Sequence, residues 1–229
     1  VARTFQLLTS ALKVPVTGKI RLGWDTRKNY LEIARIVEQE GGFFDPLTFF
    51  PSLTPEVLAE NKGWMTDGGY LDDKGQVVLC IQAYLVQTPH HNILVDSCVG
   101  NDKPRGLLGG QALSTRFLEK MAAAGWSRES VDAVVCTHMH VDHVGWNTMR
   151  EGDQWVPTFP NACYLFAQAE YDHWNAHEDE GQRQIMADSV QPIIAAGLAQ
   201  FVALDHVLSD ELRLIPTTGH TPGHVSVAI

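Results

Sequence analysis

The stretch Thr137-His138-Met139-His140-Val141-Asp142-His143 constrains this chain more than any other. Three imidazoles and a carboxylate follow directly on the apolar run Val131 to Cys136. That run is continuously apolar after Asp132, which predicts a strand buried on both faces. His138 and His140 are two apart, so in extended backbone their side chains leave the same face. Both rings can then reach one ion, because zinc takes imidazole nitrogens at about 2.0–2.1 Å. Asp142 and His143 come as the chain turns and can address a second ion. Two ions about 3.5–4 Å apart can share a hydroxide whose pKa falls to about 7. That supplies a nucleophile without Ser or Cys, and no Gly-x-Ser-x-Gly occurs. Gly145 lets the backbone come close to the site.

The rest of the composition narrows the classes. With 229 residues and 45% hydrophobic content, the chain is read as one domain with one sizeable core. A net charge of −10 argues against a nucleic-acid partner, which needs a concentrated basic face. The acidity is spread along the chain and reads as ordinary solvation. Cys80, Cys98, Cys136 and Cys163 are far apart, without a Cys-x-x-Cys pair, and read as reduced thiols. No run reaches the roughly 20 apolar residues of a membrane span. Val1 to Val16 lacks the layout of a secretion signal, so a cytoplasmic location is expected.

Tyr30–Val37 reads as a strand, and the aromatic, Pro-bounded stretch Phe43–Pro51 as a loop. Thr54 predicts a cap for a helix over Pro55–Asn61, with Pro at its first position. Gln76–Gln87 and Asn92–Asp96 read as strands joined by a hairpin loop at Pro89-His90-His91, whose histidines are expected to be exposed. Asp96, a carboxylate at a strand end, reads as structural or as support for metal ligands. Leu113–Ala124 has helical periodicity, with Phe117, Met121 and Ala124 on one face and Gly125 as the stop. Ser127 caps a single turn. Strands are expected over Ala162–Phe166, Phe201–Leu204, Leu212–Ile215 and Val225–Ile229. Helices are expected over Ala167–Ala176 and Gln182–Ala196, the second despite Pro192. His173 and His177 stand at i,i+4 without the acidic partner of a helical zinc motif, and read as an exposed helix face.

From Gln76 onward the chain resembles the metallo-β-lactamase-fold metallohydrolases. The likeness rests on the Ile-Leu-Val-Asp strand ending at Asp96, the motif from Thr137 to Gly145, and Gly219-His220-Thr221-Pro222-Gly223-His224. It implies an α/β fold, a four-layer αββα sandwich with metals at the edge of the two sheets, as a single domain over residues 1–229. It implies two divalent metal ions, most simply zinc. His138, His140 and His220 are the expected ligands of the first ion, and Asp142 and His143 of the second. Asp142 is also the expected catalytic residue, orienting the hydroxide and passing a proton to the leaving alkoxide. His224 is assigned to supporting structure. His140 stands where oxygen-reducing relatives carry Glu, which favours hydrolysis over redox chemistry. Gly100-Asn101-Asp102-Lys103 and Gly145-Trp146-Asn147 bring the likeness nearest to acyl-homoserine lactonases and methyl-parathion-type hydrolases. The implied function is a metal-bound hydroxide that opens a lactone or similar ester of a small-molecule substrate. Phosphotriester, thioester and β-lactam hydrolysis are alternatives on the same metal core, and a metal-poor scaffold is a further one. Phe43, Phe44, Phe49, Phe50, Trp64, Trp146 and Trp155 are candidates to line an acyl pocket. Such relatives commonly form homodimers. The family pattern also asks for a bridging Asp, a last strand and helix, and a further His beyond Ile229.

Overall fold

Strong β-branched runs set the architecture. The computed structural model describes residues 20–21, 32–105 and 110–229. Its strands are β1 (Ile20–Arg21), β2 (Glu32–Phe44), β3 (Val77–Gln87), β4 (Asn92–Val95), β5 (Ala133–Val135), β6 (Thr148–Glu151), β7 (Gln154–Pro157), β8 (Cys163–Ala167), β9 (Ala199–Val202), β10 (Arg213–Pro216) and β11 (Val225–Ala228). One sheet has the order β2-β3-β4-β5-β8-β9 and another the order β1-β11-β10. β6 and β7 form a separate hairpin. β3 and β4 are antiparallel, as a short hairpin loop requires. β4, β5, β8 and β9 then run parallel.

The chain divides into two compact units, a smaller one that includes Gln39–Ile81 and a larger one that includes Gln82–Ile229. The smaller unit has its own cluster of Met65, Leu71 and Val77, with Leu58 and Trp64 packed against it. In the larger unit, Val95, Val135 and Leu165 pack against Leu214 and Val227, so the two sheets lie face to face. Successive strand residues alternate in face. Leu94, Val134, Tyr164 and Phe166 therefore point away from that interface, yet all four are buried. Tyr171, on the helix Gln168–Asn175, contacts Phe201 of β9 with ring centroids 4.6 Å apart, so helix covers that outer face. This gives one helical layer and the two sheets of an αββα sandwich. Each fully buried Val or Leu contributes ~1.5–3 kcal/mol by leaving water.

Several boundaries differ from the sequence reading, each for a visible reason. Phe43–Pro51 is not a loop: β2 runs on to Phe44, and Pro46–Phe49 is a helical turn. Asp45 caps it, accepting from the backbone N–H groups of Leu47 and Thr48, with Pro46 at its first position. The next helix runs over Pro55–Asp67, six residues past the expected end, with Thr54 as its cap. The helix expected from Leu113 starts at Phe117. Asn101 holds the preceding residues extended, accepting from Thr115 N at 2.7 Å and donating to Thr115 O at 3.0 Å. The stretch Gln182–Ala196 is not one regular helix. A π-helical turn over Met186–Val190 separates Glu180–Ile185 from Gln191–Ala195. Pro192 has no N–H to donate and its ring crowds the preceding turn, and the wider turn accommodates both. Tyr30 and Leu31 lie outside the described residues.

Lys103 is a feature no periodicity announces. It is completely buried, donates to Thr148 O at 2.9 Å and stands 4.0 Å over the Trp155 ring. Burial pushes its pKa down from 10.5 to about 7, against the pull of Asp188. The unfolded chain therefore binds the extra proton between these two values, and stability rises with pH across that window. The expected rise is at most about 1.4 kcal/mol per pH unit. Denaturant melts at pH 7, 8 and 9 (about the lower half of the window) should show it, and Lys103→Met should flatten it. An equally steep rise in the variant excludes Lys103 as its source.

Candidate metal centre

β5 lies between β4 and β8, and all three of its residues are buried. The chain leaves it at Cys136, passes through His138, Met139 and His140 as an irregular segment that bends at both histidines, then turns into the short helix Val141–Val144 carrying Asp142 and His143. A second loop, from Thr217 to His224, leads from β10 into β11. It brings His220 to the first motif across 80 residues of chain: His140 Nδ1 lies 3.0 Å from His220 Nε2. One ring nitrogen from each of His138, His140 and His220 lies within 4.8 Å of the other two. His138 is buried, His140 half-buried and His220 exposed, so the group opens to solvent on the His220 side.

The protonation of His138 follows from its partners. Thr137 Oγ1 lies 3.0 Å from both Asp96 oxygens and 3.1 Å from His138 Nδ1. A hydroxyl has one proton and a carboxylate accepts, so that proton goes to Asp96. Thr137 Oγ1 then accepts from His138 Nδ1–H, an assignment fixed by the hydrogen-bond network. Nε2 is left with its lone pair, buried and without a hydrogen-bond partner. Burial, with His143, His140, His224 and His220 nearby, holds the His138 pKa far below the ordinary histidine range. Burial, with His220 next, lowers that of His140 to about 4. Both rings are neutral at pH 7, as ligands must be.

His143 is flanked by carboxylates. Its Nδ1 is 2.9 Å from Asp96 Oδ2 and its Nε2 is 3.1 Å from Asp142 Oδ2. Its ring centroid is 3.9 Å from that of His138. His224 is buried, with Nδ1 2.8 Å from Thr217 Oγ1 and its ring centroid 4.8 Å from that of His138. Burial, with His220 next, lowers its pKa to about 4. His90 and His91 sit in the β3–β4 turn, His90 3.7 Å from Glu211. His173 and His177 pack around Trp174. None of these four joins the cluster. Trp146 is in the core, stacked on Phe117 at 5.3 Å. Trp155 lines a shallow cavity of about 340 Å³ with Arg150, Gln184 and Asp188.

Two buried carboxylates escaped the sequence reading. Glu38 accepts from Val99 N at 2.8 Å, Trp146 Nε1 at 2.7 Å and Thr115 Oγ1 at 3.2 Å, and burial raises its pKa. It ties the loop after Asp96 to the loop after the metal motif. Asp96, Cys98 and Asp102 in that first loop all have positive φ. Such backbone persists only where surrounding contacts hold it. The close approach that Gly145 permits is to this loop: a Cβ there would lie 1.8 Å from Val99 O. Its φ is ordinary, so crowding and not conformation demands glycine. Glu170, buried on the helix Gln168–Asn175, accepts from Met139 N and Thr221 Oγ1. A carboxylate on a helix face carries no local signal of either role.

The family model described as "Metallo-beta-lactamase superfamily" matches residues 81–229. A dihydrouridine synthase model matches residues 1–47. An N-acyl homoserine lactonase from Bacillus sp is 27% identical over 180 residues, covering 72% of this chain and 62% of the relative. One from Bacillus thuringiensis is 25% identical over 166 residues, covering 66% of this chain and 58% of the relative. The chain thus spans about three fifths of the length of these relatives. Among solved structures, the hydrolase AbOPH of the beta lactamase superfamily matches with a TM-score of 0.63 at 25% identity, covering 85% of this chain and 65% of that one. AidC, a dizinc quorum-quenching lactonase, matches with a TM-score of 0.64 at 21% identity, covering 85% and 66%, and shares the fold. With the two-sheet layering, the histidine cluster and a family match over most of its length, the chain belongs to the metallo-beta-lactamase superfamily.

Proposed function

We propose that the protein carrying this chain is a metal-dependent hydrolase that opens the lactone ring of a small acylated molecule. The observation that carries the metal part is the buried lone pair of His138 Nε2, beside nitrogens of His140 and His220. A buried acceptor without a donor is costly unless something else meets it, and a donor set of three neutral imidazoles suits a divalent ion such as zinc. His138, His140 and His220 would hold one ion, and Asp142 and His143 would serve a second. When bound, such ions supply Lewis acidity and lower the pKa of water to about 7.

The chain's own side chains have separate tasks. Asp96 and Thr137 fix the His138 tautomer, and Asp96 also borders His143. Such outer partners orient ligands and raise their basicity. Asp142, half-buried and 3.1 Å from His143 Nε2 through Oδ2, would take a proton from the attacking water and pass it to the leaving alkoxide. The lactone assignment is supported by the names of the curated relatives. The net charge of −10 supports a small molecule over nucleic acid. Four free cysteines support a reducing, cytoplasmic setting.

The test is a parallel assay of the zinc-loaded, full-length protein on an acyl-homoserine lactone, a phosphotriester, a thioester and a β-lactam. The lactone is expected to have the highest kcat/KM, by at least about 100-fold, or ~2.7 kcal/mol in the transition state. Background-rate lactone hydrolysis alongside turnover of another substrate would reassign the reaction.

A further inference from the structure

Glu170 stands at a junction that the metal reading does not use. It lies in the first turn of the helix Gln168–Asn175 and is 1% exposed. Its Oε1 accepts from Met139 N at 3.0 Å and Trp174 Nε1 at 2.6 Å. Its Oε2 accepts from Thr221 Oγ1 at 2.7 Å and Gly223 N at 2.9 Å. Three of the four donors adjoin, in sequence, a histidine of the two metal motifs. Met139 lies between His138 and His140, Thr221 follows His220, and Gly223 precedes His224. The Trp174 ring packs on His140 with centroids 5.2 Å apart.

Other contacts tighten the same junction. A Cβ on Gly223 would lie 2.3 Å from Glu170 N, so only glycine lets the second loop come this close. Gln182 Nε2 donates to Met139 O at 2.9 Å, fixing the other side of the same peptide segment. Backbone N–H groups of two loops therefore converge on one carboxylate. Neither loop is regular secondary structure; at their roots Val225 N donates to Thr137 O at 3.0 Å, and beyond that point the Glu170 bonds span the two loops.

We infer that Glu170 is a positioning residue, which sets the separation and orientation of the two histidine-bearing loops and so the affinity and geometry of the three-histidine site. The inference rests on His138, His140 and His220 being ligands. Its physical basis is preorganisation. Three hydrogen bonds from the two loops to one buried carboxylate hold both at once, and the fourth, from Trp174 on the same helix, fixes the carboxylate itself. Charge-assisted bonds of this kind are roughly twice as strong as neutral ones. Glu170→Gln keeps the size but turns one acceptor into a donor facing two donors. Removing an outer partner of a metal site typically costs about 10–100-fold in affinity.

The experiment is Co(II) titration of the metal-free, full-length protein, read by the visible d–d spectrum and by competition with a chelator. Four proteins are compared: wild type, Glu170→Gln, Thr221→Val and His138→Ala. Melting temperatures of the metal-free forms are measured alongside. Glu170→Gln is expected to bind Co(II) about 10–100-fold more weakly with an altered d–d band. Thr221→Val, which removes one donor and no charge, should shift both readouts the same way by less. His138→Ala should lose the band. Wild-type affinity and spectrum in Glu170→Gln overturn the positioning role. So does a weakened affinity with an unchanged spectrum that follows a lowered melting temperature, because general destabilisation then explains it. Wild-type Co(II) binding by His138→Ala overturns the ligand reading itself, whatever Glu170 does.

Discussion

Replacing His138 by Ala should abolish metal-dependent hydrolysis, lowering kcat/KM of the full-length protein about a thousand-fold or more. The argument runs through one atom. Thr137 Oγ1 accepts from His138 Nδ1–H, which leaves Nε2 buried with its lone pair and no donor. Alanine removes that acceptor, and with it one of the three convergent nitrogens. His220→Ala tests the same site with less risk to the fold, because His220 is exposed where His138 is 2% exposed. Both variants should lose activity and bound zinc together, measured by steady-state kinetics and elemental analysis. His220→Ala should do so with the melting temperature of the metal-free protein nearly unchanged. Activity within about threefold of wild type (less than ~0.7 kcal/mol) in either variant would remove that histidine from the site.

The second large effect is on stability. Arg105 Nη1 and Nη2 donate to the two oxygens of Asp188, each at 2.8 Å, with the side chains 3% and 8% exposed. Asp188 lies in the π-helical turn that Pro192 helps to create, so the pair depends on that irregularity. Asp188→Ala leaves a guanidinium buried without its carboxylate, a change that costs about 3–5 kcal/mol. The loss should appear as a lower denaturant midpoint with little change in m. Asp188 also raises the Lys103 pKa, so its removal should move the rise of stability with pH to lower pH. Replacing both partners, Arg105→Met with Asp188→Leu, should recover most of the loss, because no charge is then left buried. A loss below about 1 kcal/mol in Asp188→Ala would mean that water reaches Arg105 in solution.

The sequence by itself determined whatever depends on near neighbours. Continuous apolar runs marked β4, β5 and β8, because strands covered on both faces lose the alternation of half-exposed ones. The i, i+2 spacing paired His138 with His140, which do converge although the chain bends at both, and the Gly219–His224 motif marked the second loop through its resemblance. The cap at Thr54 was legible because a cap accepts from backbone three residues on, whereas the turn after Ser127 is closed by Ser130, whose hydroxyl accepts from Ser127 N. Tertiary structure decided the rest. Glu170 reaches Met139 across 31 residues and Thr221 across 51, and Glu38 reaches Trp146 across 108. Such bonds depend on sheet register and on the direction in which each loop leaves its strand, which no local propensity encodes. The same holds for Asn101, which delays the helix to Phe117, and for Asp188, which meets Arg105 across 83 residues. Local chemistry thus named the histidines, while the long-range packing of buried carboxylates set where those histidines stand.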